Sequence, residues 1–301
     1  MSSNYAGGIA VITGAASGFG LQASRLAAQR GMKVVMADVQ ADALAISVRE
    51  IEGLGAQVLP FQLDVSRAVE VEALAEATLK RFGTPTFVFN NAGVGAGGLI
   101  WETSARDWEW VIGVNLMGVA HGVRVFTPPM LAQARRDPGW RGHIVNTASM
   151  AGLLNPPNMG VYNVSKHAVV SLSETLYQDL ALVTDNVHAH VLCPFFVPTA
   201  IHQSDRNRPP ELAAAKPTQS QLIGQAMSEK AVTSGKVTAA DVAAKVFEAM
   251  DANRFYIYSH PKALATVQMR LEDIMTPRNP SDPFRDRPEV GAELRKQLRA
   301  D

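Results

Sequence analysis

The chain has 301 residues, with 28 basic and 28 acidic side chains, 47% hydrophobic and 19% charged positions and a single cysteine. This composition can bury a sizeable core and excludes a disordered or low-complexity chain, while the balanced charge offers no long-range field for nucleic acid or an anionic membrane. Cys193 alone forms no intrachain disulfide, and the start MSSNYAGG lacks the basic and apolar regions of an export signal, so the expectation is a cytoplasmic protein acting on a small molecule.

Apolar, β-branched runs alternate with helix-period segments up to about residue 260. Strands are predicted over 8–13, 33–37, 57–63, 86–89, 143–146, 187–192 and 255–258, most of them apolar throughout, as strands buried on both faces are. Helices are predicted between them over 18–30, 41–53, 67–82, 105–135, 161–182 and 239–250, long enough for right-handed crossovers between parallel strands. The apolar stretch 111–126 is interrupted by Asn115, His121 and Arg124 and reads as too short for a membrane span. The expected fold is α/β: a Rossmann-type doubly wound parallel sheet in three layers. A single domain over 1–260 would carry an insertion at 194–237, with a C-terminal extension over 261–301. The insertion contains Pro194, Pro198, Pro209, Pro210 and Pro217 and reads either as a substrate lid or as a mobile surface loop. The tail from Pro277, rich in Pro, Arg and Asp, reads as a surface wrap or a disordered end.

Directly after the first strand comes Thr13-Gly14-Ala15-Ala16-Ser17-Gly18-Phe19-Gly20, with a helical pattern opening at its end. Glycines here permit a tight turn and let backbone N–H groups at a helix N-terminus approach a diphosphate; a purely structural turn is the competing reading. The second strand runs to Asp38, eighteen residues beyond Gly20. A carboxylate there can accept hydrogen bonds from both hydroxyls of an adenosine ribose and would repel a 2′-phosphate. Neither Ser17 nor Val39 supplies a cation to relieve that repulsion. NAD is therefore expected over NADP, against the alternative of Asp38 as a turn or capping residue.

Four further features follow in order: Asn90-Asn91-Ala92-Gly93, Asn115, Ser149, and Tyr162-x-x-x-Lys166. Together with the TGxxxGxG loop, the set resembles the short-chain dehydrogenase/reductase family over about residues 8–260. The resemblance implies hydride transfer between a secondary alcohol and a ketone, with Asn115, Ser149, Tyr162 and Lys166 as the catalytic group and no metal. It places Gly14, Ser17, Gly18, Phe19 and Gly20 at the cofactor with Asp38, sets Asp64 and Val65 at adenine, and lines the ribose with Asn91, Ala92 and Gly93. Pro194, Val197 and Thr199 match the segment that holds the nicotinamide carboxamide. One departure stands out: the family usually reads Pro-Gly where this chain reads Pro194-Phe195. A homodimer or homotetramer built on the long helices is also implied.

The chemistry can be argued from the residues as well. On a helix, Tyr162 and Lys166 share a face, so an ammonium can lie near a phenol and favour its ionised form. Such a phenol is a candidate acid/base for an alcohol proton, and the Ser149 hydroxyl can hold the substrate oxygen. In the family the residue matching Asn115 binds a water that links the lysine to solvent. Met150, Leu153, Leu154, Met159, residues 94–99, Phe195, Phe196 and Ile201 are candidate walls of an apolar substrate site, each with core packing as its rival explanation. Arg206 and Arg208 in the insertion are the available partners for a substrate carboxylate. His188 and His190, two apart on a strand, lack a third metal ligand at suitable spacing. Trp101, Trp108 and Trp110 suit either a pocket rim or a subunit contact. Two other readings stand beside the dehydrogenase: a non-catalytic NAD-binding sensor or scaffold, and an epimerase or dehydratase relative. The glycine spacing and the short C-terminal portion argue against the latter.

Overall fold

A computed structural model describes residues 5–213 and 216–299. Within them lies a seven-stranded, all-parallel sheet of order β3-β2-β1-β4-β5-β6-β7. Its strands are β1 Ile9–Thr13, β2 Lys33–Asp38, β3 Val58–Gln62, β4 Phe87–Asn90, β5 Gly142–Thr147, β6 Val187–Cys193 and β7 Tyr256–Tyr258. The central strands β1, β4 and β5 are buried at every position, whereas Pro60, which donates no ladder bond, sits in the edge strand β3. Helices α1 Gly18–Gln29, α2 Ala41–Gly53 and α3 Ala68–Arg81 follow the first three strands. The strand order reverses between β1 and β4, which opens a crevice at the carboxyl edge of the sheet, where ligands of such folds bind.

Two apolar layers cover the sheet. On one face Ala23 and Ala27 of α1 and Val48 of α2 pack with Val242, Val246 and Phe247 of α8, Ala239–Asp251. The small side chains of α1 let that helix approach closely. On the other face Val71 and Leu74 of α3 join Phe126 and Met130 and, from α6 Gly160–Val183, Leu176 and Leu180.

The structure revises three expectations. The single helix predicted over 105–135 is α4 Ala105–Ile112 and α5 Gly118–Arg136 joined by a π-helical turn, Gly113–Met117. Gly113 and Gly118 press on the loop after β3: a Cβ on either would meet Ser66 Cβ at 3.2 Å or Val65 Cγ2 at 2.7 Å. The extra residue of a π-turn re-aims its neighbours, and here it brings Asn115 inward. The continuous helical stretch Ala105–Arg136 is also long and apolar enough to cross a membrane, by length and composition alone. Val111, Val119, Phe126 and Met130 are nevertheless buried within the protein, as in a core helix.

The 194–237 insertion is more regular than its prolines suggest. It holds a 3-10 segment Ala200–Asn207, a 3-10 turn Pro210–Leu212 and α7 Gln219–Thr233, which Thr218 and Gln221 start with a reciprocal capping box. Residues 214 and 215 of the insertion lie outside the described residues, as do residues 1–4 and 300–301. Beyond β7 the extension forms α9 Leu264–Met275 and α10 Pro288–Leu298. Pro288 occupies the first turn of α10, where its missing N–H costs nothing, Leu294 is buried, and Gln219 of α7 donates to the Gln297 carbonyl at 2.8 Å.

Candidate active site

The loop between β1 and α1 is held in a shape that side chains would break. Gly14 and Gly18 adopt φ of +64° and +52°, and a Cβ on Gly20 would lie 2.1 Å from the Gly14 carbonyl oxygen. Thr13 fastens this loop to the segment after β4: its Oγ1 accepts from the N–H groups of Asn91 at 2.9 Å and Ala92 at 3.1 Å. Asn91 Nδ2 donates back to the Thr13 carbonyl at 3.0 Å, and Thr147 Oγ1 donates to Asn91 Oδ1 at 3.3 Å. Ser17, exposed and extended at the start of α1, uses its hydroxyl for no cap, so the positive end of that helix faces the crevice.

At the end of β2 the Asp38 carboxylate is oriented by two backbone donors, Ala16 N and Gln40 N, each at 3.0 Å. A cleft of about 310 Å³ runs from Asp38 over the glycine loop to Tyr162, Lys166 and Pro194. Ser17, Gly18, Phe19, Asp64, Val65 and Thr199 also line it, as do Gly14 and the Asn91, Ala92 and Gly93 run. Gly20 lies beneath the loop instead, and Val197 is buried in the core rather than on the cleft.

Tyr162 and Lys166 lie one turn apart on α6, both buried, with Lys166 Nζ 5.7 Å from the centre of the Tyr162 ring. Lys166 Nζ donates to the Thr147 carbonyl at 2.9 Å. Burial brings this ammonium down from 10.5 to about 8. Burial likewise holds the Tyr162 phenol above its ordinary value, opposed by the Ser149 hydroxyl beside it. The sequence argument expected the lysine to lower the phenol. In the protein alone desolvation wins, because both groups are shut away from water and part of the lysine's charge is spent on a carbonyl.

Ser149 caps the 3-10 turn Met150–Gly152: its Oγ accepts from Ala151 N at 3.1 Å and donates to the Pro194 carbonyl at 3.3 Å. Asn115 is fully buried in the π-turn and exchanges two bonds with Val94, its Oδ1 accepting from Val94 N at 2.8 Å and its Nδ2 donating to the Val94 carbonyl at 3.0 Å. Nδ2 also reaches Ser165 Oγ at 3.1 Å, and a Cβ on Gly93 would lie 3.4 Å from Asn115 Oδ1 and 3.5 Å from Lys166 Nζ. The four residues named from the sequence thus gather behind one end of the cleft. Thr13, Thr147 and Ser165 complete the polar lattice; Thr13 precedes the glycine loop, but spacing gives no signal for the other two.

The apolar candidates divide. Val94 and Ile201 line the cleft, while Met150 is almost wholly buried in a cluster with Val119, Val169 and Cys193 and is core rather than wall. Leu153 and Leu154 pack on that cluster's edge with Ala263 and Val267 from the C-terminal extension. Phe195 and Phe196 are partly exposed, their ring centres 4.4 Å apart, and Phe195 stands edge-on to His260 at 5.9 Å. Phe195 N donates to Ser259 Oγ at 2.9 Å. The bulky residue in place of glycine does not line the cleft; its ring lies beside His260, just past β7.

His190 and His188 meet a third imidazole, His143, at the opposite end of the sheet. His143 Nδ1 lies 3.0 Å from His190 Nε2, and His190 Nδ1 lies 2.8 Å from the Arg254 carbonyl, which can only accept, so that Nδ1 carries the proton. Burial lowers His143 to about 3 and His190 to about 4, keeping both neutral. Cys193 is buried, its thiol pushed up to about 12 by desolvation. Trp101 is exposed, whereas Trp110 is buried beneath the Arg208 guanidinium at 4.9 Å.

A glycine cradle at the sheet's switch point beside a buried tyrosine–lysine pair defines a nucleotide-dependent oxidoreductase of the short-chain type. The family model for short chain dehydrogenase matches residues 8–210, and this chain belongs to that family. A dehydrogenase/reductase of CLA biosynthesis from Lactiplantibacillus plantarum is 36% identical over 273 residues, covering 88% of this chain and 92% of that protein. The 1-deoxy-11-beta-hydroxypentalenate dehydrogenase of Streptomyces exfoliatus is 33% identical over 267 residues, covering 88% and 87%. The crystal structure of a short-chain dehydrogenase/reductase from Burkholderia phymatum in complex with NAD is 55% identical, with a TM-score of 0.90, over 93% of this chain and 98% of that one.

Proposed function

We propose that this protein is an NAD-dependent oxidoreductase that interconverts a bulky, hydrophobic secondary alcohol and its ketone. The carrying observation is the buried Tyr162–Lys166 pair with Ser149 at one end of a cleft whose other end is closed by Asp38. The residues present fit a dinucleotide: positive-φ glycines shape the loop at the uncapped N-terminus of α1, and a carboxylate pinned by two N–H groups keeps its remaining lone pairs for ribose hydroxyls. The NAD complex of the Burkholderia phymatum relative supports the choice of cofactor. Val94 and Ile201 on the cleft wall, and relatives whose names specify a hydroxypentalenate or CLA biosynthesis, support a large, weakly polar substrate.

When bound, oxidised nicotinamide supplies the hydride acceptor and a positive charge near the phenol. Ser149 holds the substrate oxygen and Tyr162 takes the hydroxyl proton, or returns it in the reverse direction. Lys166 carries positive charge close to the phenol and, through Thr147, is fixed to β5. Asn115 acts as a positioning residue: its two hydrogen bonds with the Val94 backbone hold the segment after β4 against the lysine. The protein works in the cytoplasm as a homodimer or homotetramer, with α5 and α6 at the contact.

The test is a panel of secondary alcohols with NAD, followed by absorbance of the reduced cofactor. At least one apolar member is turned over, and Tyr162→Phe lowers turnover about 10²-fold or more while its affinity for NADH stays near that of the unaltered chain. Unchanged turnover in that variant refutes the assignment.

A further inference from the structure

The 3-10 segment Ala200–Asn207 forms a strap along the cleft. Thr199 Cγ2 at its start lies 3.4 Å from where a Cβ on Gly18 would be, over the N-terminus of α1. In its middle Ser204 Oγ accepts from Gly95 N at 2.8 Å, and at its end Asn207 Oδ1 accepts from Gln40 Nε2 at 2.7 Å, two residues beyond Asp38. Past the strap, Arg208 pairs with Asp107 at 2.7 Å, both side chains nearly buried. The strap thus extends from the glycine loop to the Asp38 end and is anchored there by protein contacts alone.

Among the described residues lining the cleft, two are cationic, Lys166 and Arg206. Lys166 is buried at the chemical end and held by Thr147. Arg206 sits on the strap, exposed. Its Nη1 donates to the Ala200 and Gln203 carbonyls at 2.7 and 2.8 Å, which fixes the guanidinium in place, and it forms no ion pair among the described residues. The glycine loop itself contains no lysine or arginine. A diphosphate lying there would find backbone amides and a helix dipole on one side but no full positive charge within the loop.

We propose that Arg206 supplies that charge, so that the dinucleotide diphosphate is held between the N-terminus of α1 and the guanidinium on the strap. The assignment rests on the dinucleotide reading above and adds to it a cofactor-binding residue from the insertion. It also gives the strap a direct stake in cofactor affinity: the element that borders the substrate site carries the charge that retains the diphosphate.

The experiment uses the full chain and isothermal titration calorimetry with NADH and with ADP-ribose, which keeps the diphosphate but lacks nicotinamide. Adenosine, which lacks both, is followed by its displacement of NADH. R206Q keeps a donor for the strap carbonyls and removes the charge. It should weaken NADH and ADP-ribose about 10- to 50-fold, leave adenosine unchanged and flatten the loss of NADH affinity with added salt. R206K, which retains a cation, should recover part of the loss. ADP-ribose binding as tight in R206Q as in the unaltered chain overturns the proposal. So does an equal loss of adenosine, which would mark Arg206 as a mere brace for the strap, or unchanged NADH and ADP-ribose affinity with weaker binding of a carboxylate-bearing substrate. Failure of the unaltered chain to bind NADH or ADP-ribose would instead remove the dinucleotide reading itself, and this inference with it.

Discussion

Replacing Lys166 by methionine should make the protein more stable while destroying its chemistry. The ammonium is 2% exposed and brought from 10.5 to about 8, a difference worth about 3 kcal/mol at roughly 1.36 kcal/mol per pH unit. At pH 7 the buried lysine is still charged, so the folded state bears that whole penalty relative to a neutral side chain. Methionine removes it and fills similar space, at a loss of about 1 kcal/mol for the Thr147 carbonyl left without its donor. The net expectation is about 2 kcal/mol of added stability, read as a higher urea midpoint by tryptophan fluorescence, with turnover down about 10²-fold or more. The sign depends on pH. Between about 8 and 10.5 the unfolded lysine keeps a proton that the folded one has lost, so the unaltered protein gains stability across that window and the variant's advantage shrinks. A variant no more stable than its parent at pH 7, or an advantage that does not fall across that window, would refute the claim that burial of charge controls this group.

Asp38→Ala should narrow the preference for NAD over NADP, measured as the ratio of kcat/KM values, since it removes the acceptor for ribose hydroxyls and the repulsion of a 2′-phosphate together. A parent enzyme that prefers NADP would contradict the ribose argument. The histidine cluster predicts acid sensitivity: with His143 at about 3 and His190 at about 4, the unfolded chain takes up protons first as the pH falls below 6.5. Stability present at neutral pH is then lost as the pH falls from about 6.5 toward 4, by about 2 kcal/mol per imidazole at pH 5. Urea midpoints measured over that range should decline less steeply in His143→Leu than in the parent.

The strands were legible because a sheet covered on both faces leaves its mark in every residue of β1, β4 and β5, not in alternate ones. The meeting of Tyr162, Lys166 and Ser149 was legible because residues four apart share a helix face and a strand end meets that face at the carboxyl edge of the sheet. The π-turn was not, since its cause is tertiary: Gly113 and Gly118 move close to Ser66 and Val65, far away in sequence, and no local pattern over 105–135 records that approach. Helix α7 was hidden for the opposite reason. Its capping box at Thr218 and Gln221 is local and readable, but the prolines before it and its few apolar side chains masked the signal. The phenol's response to burial was also out of reach, because periodicity places a lysine near a tyrosine without telling how much water either retains.

The site's parts differ in how firmly they are built, and that difference bears on what each can do. Behind the catalytic end, Asn90 Nδ2 donates to Asn146 Oδ1 at 2.9 Å, Asn146 Nδ2 to Ser173 Oγ at 3.1 Å, and Ser173 Oγ to the Val169 carbonyl at 2.7 Å, all of it buried. A satisfied buried network of this kind tolerates little rearrangement, since any displaced member would leave an unpaired polar group in the core. It ties β4 and β5 to the helix that carries Tyr162 and Lys166, so these two side chains and Ser149 are held in one frame. The strap is joined to the cleft by single bonds at Gly95 and Gln40, and Phe195 and Phe196 stand partly exposed at its root. Under the proposed function, chemistry would sit on the firmly bonded wall and recognition on the lightly held one, so that substrate range could change through the strap and the C-terminal extension without disturbing proton transfer. A phenylalanine at the position the family usually gives to glycine is tolerated for the same reason: its ring settles against His260 on the adjustable side, away from the lattice that fixes the phenol.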